Sequence, residues 1–169
     1  MAEQDDERVL AALERHGVRF ILIGGLAAII NGSPFPTEDV DITPERSREN
    51  LDRLSAALYE LNARVYTASE PAGLDFQHDG PSLGRAEVWN LQTDGGRLDI
   101  SFVPNGTTGY SDLMRGSFDV DIHGIEIRVA SLADIIRSKQ AANRPKDQRV
   151  LPTLREILAS RNSRNRSDA

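Results

Sequence analysis

The stretch from Phe20 to Ile42, FILIGGLAAIINGSPFPTEDVDI, constrains the fold more than any other part of the chain. Its first four residues are apolar and are bounded by a Gly-Gly pair, so they are short enough for a buried strand. The Ala-rich run over 26–30 favours a helix, which the Gly-Ser-Pro sequence at 32–34 would end. The stretch therefore predicts a strand, a tight glycine turn and a short helix, followed by a second strand.

The second strand is predicted from an alternating pattern over 38–43. Val40 and Ile42 would face one side of this strand, and Asp39 and Asp41 the other, because side chains two residues apart share a face. Two carboxylates would then stand side by side near the glycine turn. Either feature alone is weak evidence, since an Asp-x-Asp strand is often a solvated edge and a Gly-Gly pair is often only a turn.

A third carboxylate is predicted to reach the same place. A hairpin is expected from a strand over 86–93, an Asp-Gly-Gly turn and a strand over 97–103. Asp99 alternates with apolar neighbours in that strand, so it could lie beside Asp39 and Asp41. Two carboxylates about 5 Å apart repel by roughly 3 kcal/mol at an effective dielectric near 20, and a third adds to this. Such a cluster needs cations, and hard oxygen ligands select Mg²⁺ or Mn²⁺.

The chemistry that fits these parts is transfer of a phosphorus-containing group. Two divalent ions can clamp the attacking and leaving oxygens of phosphoryl or nucleotidyl transfer. Gly24 and Gly25 would let a triphosphate approach the backbone, and the N–H groups of the following helix would face it. No Lys-Ser or Lys-Thr pair follows these glycines, so the pattern differs from a Walker loop.

The rest of the chain predicts an alternation of helices, strands and loops. Thr43 and Pro44 are expected to begin the second long helix as N-cap and first helical residue. A long loop is expected over 69–84, where glycine and proline are frequent. The other predicted helices span 5–16, 45–63, 110–115 and 132–143, and a last one runs from Pro152 to about Ser160. A short strand is expected over 64–67, and strands over 118–122 and 125–129 are expected to form a second hairpin.

Composition limits the class of protein. At 169 residues the expectation is a single domain over 1–160, followed by a disordered basic tail over 161–169. The absence of cysteine excludes disulfides and thiolate zinc sites. With no run long enough for a membrane span and no secretory pattern at the start, a cytoplasmic protein is expected. The net charge of -6 argues against a broadly basic nucleic-acid surface, although 144–149 and the tail are locally basic.

Several other polar residues are further candidates for the site. Of the 20 basic residues only two are lysines, Lys139 and Lys146, which makes them worth testing where arginine would otherwise serve. Ser33 and Thr37 precede the Asp strand and could touch phosphate or ribose, although capping of the loop is the more common role. Arg97 would share the face of Asp99 and either pair with it or contact nucleotide. The three histidines are scattered and show no metal-ligand spacing.

The segment GGLAAIINGSPFPTEDVDI resembles the signature of the DNA polymerase β-like nucleotidyltransferase superfamily, in which a glycine pair precedes Asp-hydrophobic-Asp. RLDISF matches the family's third carboxylate strand. The Gly-Gly form of the signature, together with SLADIIRSKQAANRPKDQRVLPTLREIL near the end, looks most like the AbiEii-type nucleotidyltransferases of bacterial toxin–antitoxin systems and their single-domain relatives.

This resemblance implies an α+β fold, with a short mixed sheet, helices packed on one side, C-terminal helices and the Asp triad on the open face. It implies that Asp39 and Asp41 hold both metals, and that Asp99 binds the catalytic metal and helps to deprotonate the acceptor hydroxyl. Lys139 matches the family's phosphate-reaching lysine, and Lys146 matches the lysine of its KD pair. The predicted catalytic set is Asp39, Asp41, Asp99 and Lys139, and the predicted nucleotide-binding set is Gly24, Gly25, Ser33, Thr37, Lys139 and Lys146.

The predicted function is transfer of an NMP from an NTP, with Mg²⁺ or Mn²⁺, to an acceptor hydroxyl. The acceptor could be tRNA, a protein side chain or a small molecule, and an antitoxin protein is a possible partner. Two alternatives stay open at this point. One is a nucleotide-binding regulatory or antitoxin-like protein of the same fold, and the other is an aminoglycoside-type antibiotic nucleotidyltransferase.

Overall fold

The computed structural model describes residues 3–169 as seven helices around one seven-stranded sheet. The strands are β1 (Phe20–Ile23), β2 (Asp39–Pro44), β3 (Arg64–Val65), β4 (Val88–Thr93), β5 (Gly96–Ser101), β6 (Phe118–Ile122) and β7 (Ile125–Val129). The helices are α1 (Asp6–Arg15), α2 (Gly24–Ile30), α3 (Arg48–Glu60), α4 (Gly80–Leu83), α5 (Tyr110–Gly116), α6 (Leu132–Ala142) and α7 (Pro145–Ser167).

The sheet is mixed, and β2 lies at its centre. The strand order is β3-β4-β5-β2-β1-β7-β6. β2 pairs with β1 in the antiparallel direction and with β5 in the parallel direction. The predicted α+β fold with a mixed sheet is thus confirmed, as are both predicted hairpins, which are β4–β5 and β6–β7.

The two faces of the central strands have different surroundings. Val40 and Ile42 of β2 are completely buried, and by alternation they face away from Asp39 and Asp41. The cleft on the Asp face is lined by residues of α2, α6 and α7 and by none of α1 or α3. We therefore place α1 and α3, whose leucines belong to the main core, against the opposite, apolar face. The core packs against the face of β2 that carries Val40 and Ile42, and the carboxylates on its other face point into the cleft.

The entry to α3 differs from the prediction. Thr43 and Pro44 do not begin a helix, because they extend β2 and pair with Ile21 and Phe20 of β1. The helix begins at Arg48 instead, and the side chain of Ser47 accepts a hydrogen bond from the backbone N–H of Asn50. Strand pairing with a buried neighbour has outweighed a local capping signal.

The C-terminal region also differs from the prediction. α7 begins at Pro145 rather than near Pro152, which lies inside the helix, and it continues to Ser167 where a disordered tail from 161 was expected. Asp147 accepts a hydrogen bond from the backbone N–H of Arg144 and so closes the first turn. Arg161 donates to the side-chain oxygen of the buried Asn31 and to its carbonyl, which ties the later turns of α7 to the end of α2.

The predicted loop over 69–84 contains the single-turn helix α4, which Asp79 caps through Ser82. Within residues 3–169, no helix combines the length and the apolar character needed to cross a bilayer.

Candidate functional site

Strand register brings the three predicted carboxylates together. The parallel pairing of β2 with β5 sets Asp41 directly opposite Asp99, and Asp39 lies two residues before Asp41 on the same face. One carboxylate oxygen from each residue lies within 4.8 Å of the others. This all-oxygen donor set suits a hard divalent cation such as Mg²⁺ or Mn²⁺, so the residues present fit the predicted cofactor.

The glycine pair is packed against this cluster. Gly24 has φ +68°, and a Cβ atom built on it would lie 2.4 Å from Oδ2 of Asp41. A Cβ atom on Gly25 would lie 2.6 Å from Oγ1 of Thr37. The pair was predicted to let phosphate approach the backbone. The structure adds a second requirement, because only glycine leaves room for Asp41 and Thr37 at the start of α2.

Thr37 and Ser33 lie in the loop between α2 and β2 and both line the cleft. The hydroxyl of Thr37 donates to Oδ1 of Asp39 at 3.1 Å and lies 3.3 Å from the carbonyl oxygen of the same residue. The hydroxyl of Ser33 accepts a hydrogen bond from the backbone N–H of Phe35 at 3.3 Å. In this structure Thr37 orients a carboxylate of the cluster, and Ser33 closes a loop turn.

Burial and mutual repulsion raise the pKa values of two carboxylates of the cluster, Asp41 and Asp99. Burial, followed by the charges of Asp39 and Asp99, raises the pKa of Asp41 from 3.8 to about 8, and Lys146 opposes the rise. Burial and the hydrogen bond with Asp39 raise the pKa of Asp99 to about 6, against the lowering effect of Arg97. Near neutral pH Asp41 therefore tends to keep its proton unless a cation takes the place of that proton.

Arg97 forms an ion pair with Asp99, which was one of its two predicted roles. Nη2 of Arg97 lies 3.1 Å from Oδ1 of Asp99. The guanidinium also stacks on the ring of Tyr66, with its central carbon 3.6 Å from the ring centroid. Tyr66 was not singled out in the sequence, since a lone tyrosine after a two-residue strand carries no pattern that indicates this contact.

The two lysines reach the cleft from α6 and α7. Lys139 and Lys146 both line it, as does Arg144 at the junction between the two helices. Nζ of Lys139 lies 3.7 Å from Oδ1 of Asp147, which is fully buried. Burial alone would raise the pKa of Asp147, but hydrogen bonds from Arg144 and the charge of Lys139 lower it on balance. In the sequence Asp147 entered only as the residue that follows Lys146 in the KD pair, yet in the structure its carboxylate also holds Lys139 at the cleft wall.

All nine predicted site residues line one cleft of about 700 Å³. The cleft has the carboxylate cluster on its floor, the glycine turn beside it and cationic side chains along one wall. This volume is typical of small-ligand sites. The histidines lie elsewhere, and His78 is buried against Tyr59 with its Nδ1 2.8 Å from the hydroxyl of Ser55.

We expect the metal-free protein to lose stability as the pH rises. A carboxyl whose pKa is higher in the folded than in the unfolded chain favours folding below its ordinary pKa of 3.8, and this advantage disappears as the pH approaches 8 for Asp41. Asp41→Asn should therefore flatten this dependence and raise the free energy of unfolding at pH 8 by about 1–2 kcal/mol. Urea unfolding in EDTA at pH 5 and pH 8 measures both effects.

The matched control for Asp41→Asn is Asp75→Asn, an exposed aspartate outside the cleft. Mg²⁺ should stabilise the wild type and the control at pH 8 but not Asp41→Asn. An equal pH dependence in all three proteins would contradict the assignment of the raised pKa to the cluster.

Gly24→Ala should disturb the carboxylate cluster in addition to straining the backbone. The new methyl group would collide with Asp41, whereas Gly124→Ala places a methyl at a similar positive φ, +84°, with no atom within 4 Å. Both variants should lose about 1 kcal/mol or more from the left-handed backbone conformation. Thermal unfolding with and without Mg²⁺ should show a metal response in Gly124→Ala only. An intact response in Gly24→Ala would contradict the close packing of the turn on Asp41.

Comparison with known proteins supports the fold. No protein-family model and no curated protein sequence matches the chain. Among solved structures, the lincomycin-bound lincosamide antibiotic adenylyltransferase LnuA has a TM-score of 0.59 at 13% identity, and the match covers 92% of this chain and 99% of LnuA. The antibiotic-resistance factor ANT(2'')-Ia has a TM-score of 0.53 at 16% identity, with 96% and 91% covered.

A third similar structure is that of a candidate nucleotidyltransferase from Thermotoga maritima. Its TM-score is 0.52 at 20% identity, and the match covers 91% of this chain and 90% of that protein. All three are similar over nearly their whole length, and at these identities the similarity concerns the fold. The chain therefore has the fold of the nucleotidyltransferases.

Proposed function

We propose that the protein is a divalent-metal-dependent nucleotidyltransferase that transfers an NMP from an NTP to an acceptor hydroxyl and releases pyrophosphate. The observation that carries this proposal is the convergence of Asp39, Asp41 and Asp99 within 4.8 Å in the cleft that also contains the glycine turn. Three carboxylates at this spacing are costly without cations, so a purely structural role does not account for them.

In this proposal the carboxylates of Asp39, Asp41 and Asp99 would hold Mg²⁺ or Mn²⁺. The metal would neutralise the triphosphate and stabilise charge on the attacking and leaving oxygens. Thr37 fixes the orientation of Asp39 through its 3.1 Å hydrogen bond, and Arg97 fixes that of Asp99. The carboxylate of Asp99, at the β5 side of the cluster, is the group that would take the proton of the acceptor hydroxyl.

The opposite side of the cleft would bind the triphosphate. Gly24 and Gly25 leave the backbone N–H groups of the first turn of α2 open to phosphate oxygens. Lys139 would lie against the phosphates while Asp147 holds its ammonium group in place, and the exposed Lys146 would add a second positive charge. Ser33 has a smaller part in this proposal, as a loop residue near the phosphates.

Two acceptor systems follow from the observations. The resemblance of the glycine, Asp and RPKD segments to AbiEii-type proteins favours a toxin that modifies tRNA or protein in the cytoplasm and is controlled by an antitoxin. The similarity to LnuA and ANT(2'')-Ia over almost the whole chain favours antibiotic adenylylation. Expression in a test bacterium separates them, because a toxin arrests growth and an antibiotic-modifying enzyme confers resistance. A regulatory protein that kept the fold would have no need of the intact triad.

Labelling with each of the four [α-³²P]NTPs tests the activity. The protein is incubated with Mg²⁺ and with cellular RNA, protein or small molecules, and incorporation should occur with at least one NTP. Asp41→Asn should lower incorporation on the order of 10³-fold or more, since residues that act as one unit fail together. Asp75→Asn is the control and should keep wild-type activity. Full activity in Asp41→Asn would show that the site is wrong.

A further inference from the structure

The sheet continues beyond Asp99 as an open surface. Register places Asn90 of β4 opposite Asp99 and Val88 opposite Ser101. Directly paired residues project to the same face, so these side chains share the face of the carboxylates. Val88 is 52% exposed and Val103, just after β5, is 45% exposed. We call Val88, Asn90, Ser101 and Val103 the β4–β5 platform, and all four line the cleft.

The charges of the cleft are distributed unequally around Asp99. Its three cationic lining residues, Lys139, Arg144 and Lys146, all belong to α6, α7 or the junction between them. The platform consists of two valines, an asparagine and a serine, and it carries no formal charge. Arg97 shares its face but is occupied by Asp99 and Tyr66.

Because the platform carries no charge, it limits which kinds of acceptor molecule can bind there. A polyanion such as tRNA needs arginine or lysine side chains along its phosphates, and the platform offers none. A polycation needs carboxylates besides those of the metal cluster. The other carboxylates that line the cleft belong to Glu38, Asp134 and Asp147, which lie outside the platform, and two of them, Asp134 and Asp147, are paired with cations of α6 or α7. Asparagine and serine both donate and accept hydrogen bonds, so they can hold hydroxyl groups, while the two valines offer apolar contact.

We infer that the acceptor is a small, uncharged, polyhydroxylated molecule with an apolar face, of the glycoside type, which binds on the β4–β5 platform. The inference rests on the proposed nucleotidyl transfer. An acceptor hydroxyl on this platform would lie next to Asp99. Its oxygen forms a bond to the α-phosphorus, the bond from that phosphorus to the pyrophosphate oxygen breaks, and the hydroxyl proton passes to the carboxylate of Asp99.

The test starts from an extract of the organism that encodes the protein, separated into small-molecule, RNA and protein fractions. Each fraction is incubated with [α-³²P]NTP and Mg²⁺. We expect labelling of the small-molecule fraction. After phosphodiesterase removes the NMP, the released acceptor should pass through both anion- and cation-exchange resins at pH 7.

Three results would overturn the inference. One is label in RNA or protein, and another is retention of the released acceptor on either resin. The third is no label in any fraction from a protein that still binds NTP with Mg²⁺. Failure to bind NTP at all would contradict the proposed function itself, and the inference would fall with it.

A charge placed on the platform provides a second, independent readout. Val88→Glu should raise at least 10-fold the amount of the small-molecule fraction needed for half-maximal labelling, with the Kd for NTP unchanged. The matched control is Leu74→Glu, which adds the same charge at a similarly exposed apolar residue outside the cleft, 50% exposed. Equal acceptor dependence in the two variants would overturn the platform assignment.

Discussion

The parallel pairing of β2 with β5 is the constraint on which the site depends. It sets Asp41 opposite Asp99, and the two-residue period of β2 adds Asp39 on the same face. The pairing is maintained by residues on the other face, where Val40, Ile42, Leu98 and Ile100 are completely buried. Core packing thus forces together three like charges that would separate in a free chain.

The neighbours of the cluster only partly relieve this repulsion. Arg97 neutralises part of the charge of Asp99, and Lys146 acts on Asp41 from a greater distance, yet the pKa of Asp41 stays near 8. Thr37 orients Asp39 without adding charge. Charges held together in this way oppose folding at neutral pH, and a bound divalent cation would offset this effect and couple metal binding to the stability of the fold.

The elements and the carboxylates could be predicted because their signals are local. Alternation in β2 and β5 indicated which side chains share a face, and the short apolar run before Gly24 indicated a buried strand. The start of α3 was predicted wrongly because the pairing of Thr43 and Pro44 with β1 is a contact with a distant segment. For the same reason the sequence did not show that Arg161 ties α7 to Asn31.

The contacts between side chains within the site could not be predicted from the sequence either. That Asp147 holds Lys139, and that Tyr66 stacks on Arg97, depends on how α7 and β3 pack against the rest of the fold. The spacing of Gly24 and Asp41 suggested a common ligand, but not that the two residues touch. Local patterns thus identified the residues that meet in the cleft, and tertiary packing decided how each of them is oriented.

The central claim is that Asp39, Asp41 and Asp99 together bind a divalent cation. A crystal of the protein with Mn²⁺ and a non-hydrolysable NTP analogue, measured at a wavelength where manganese scatters anomalously, tests this most directly. The account predicts an anomalous peak bonded to oxygens of the three carboxylates, with the triphosphate against Gly24 and Gly25. A cleft without such a peak at saturating Mn²⁺, or a nucleotide bound elsewhere, would contradict it.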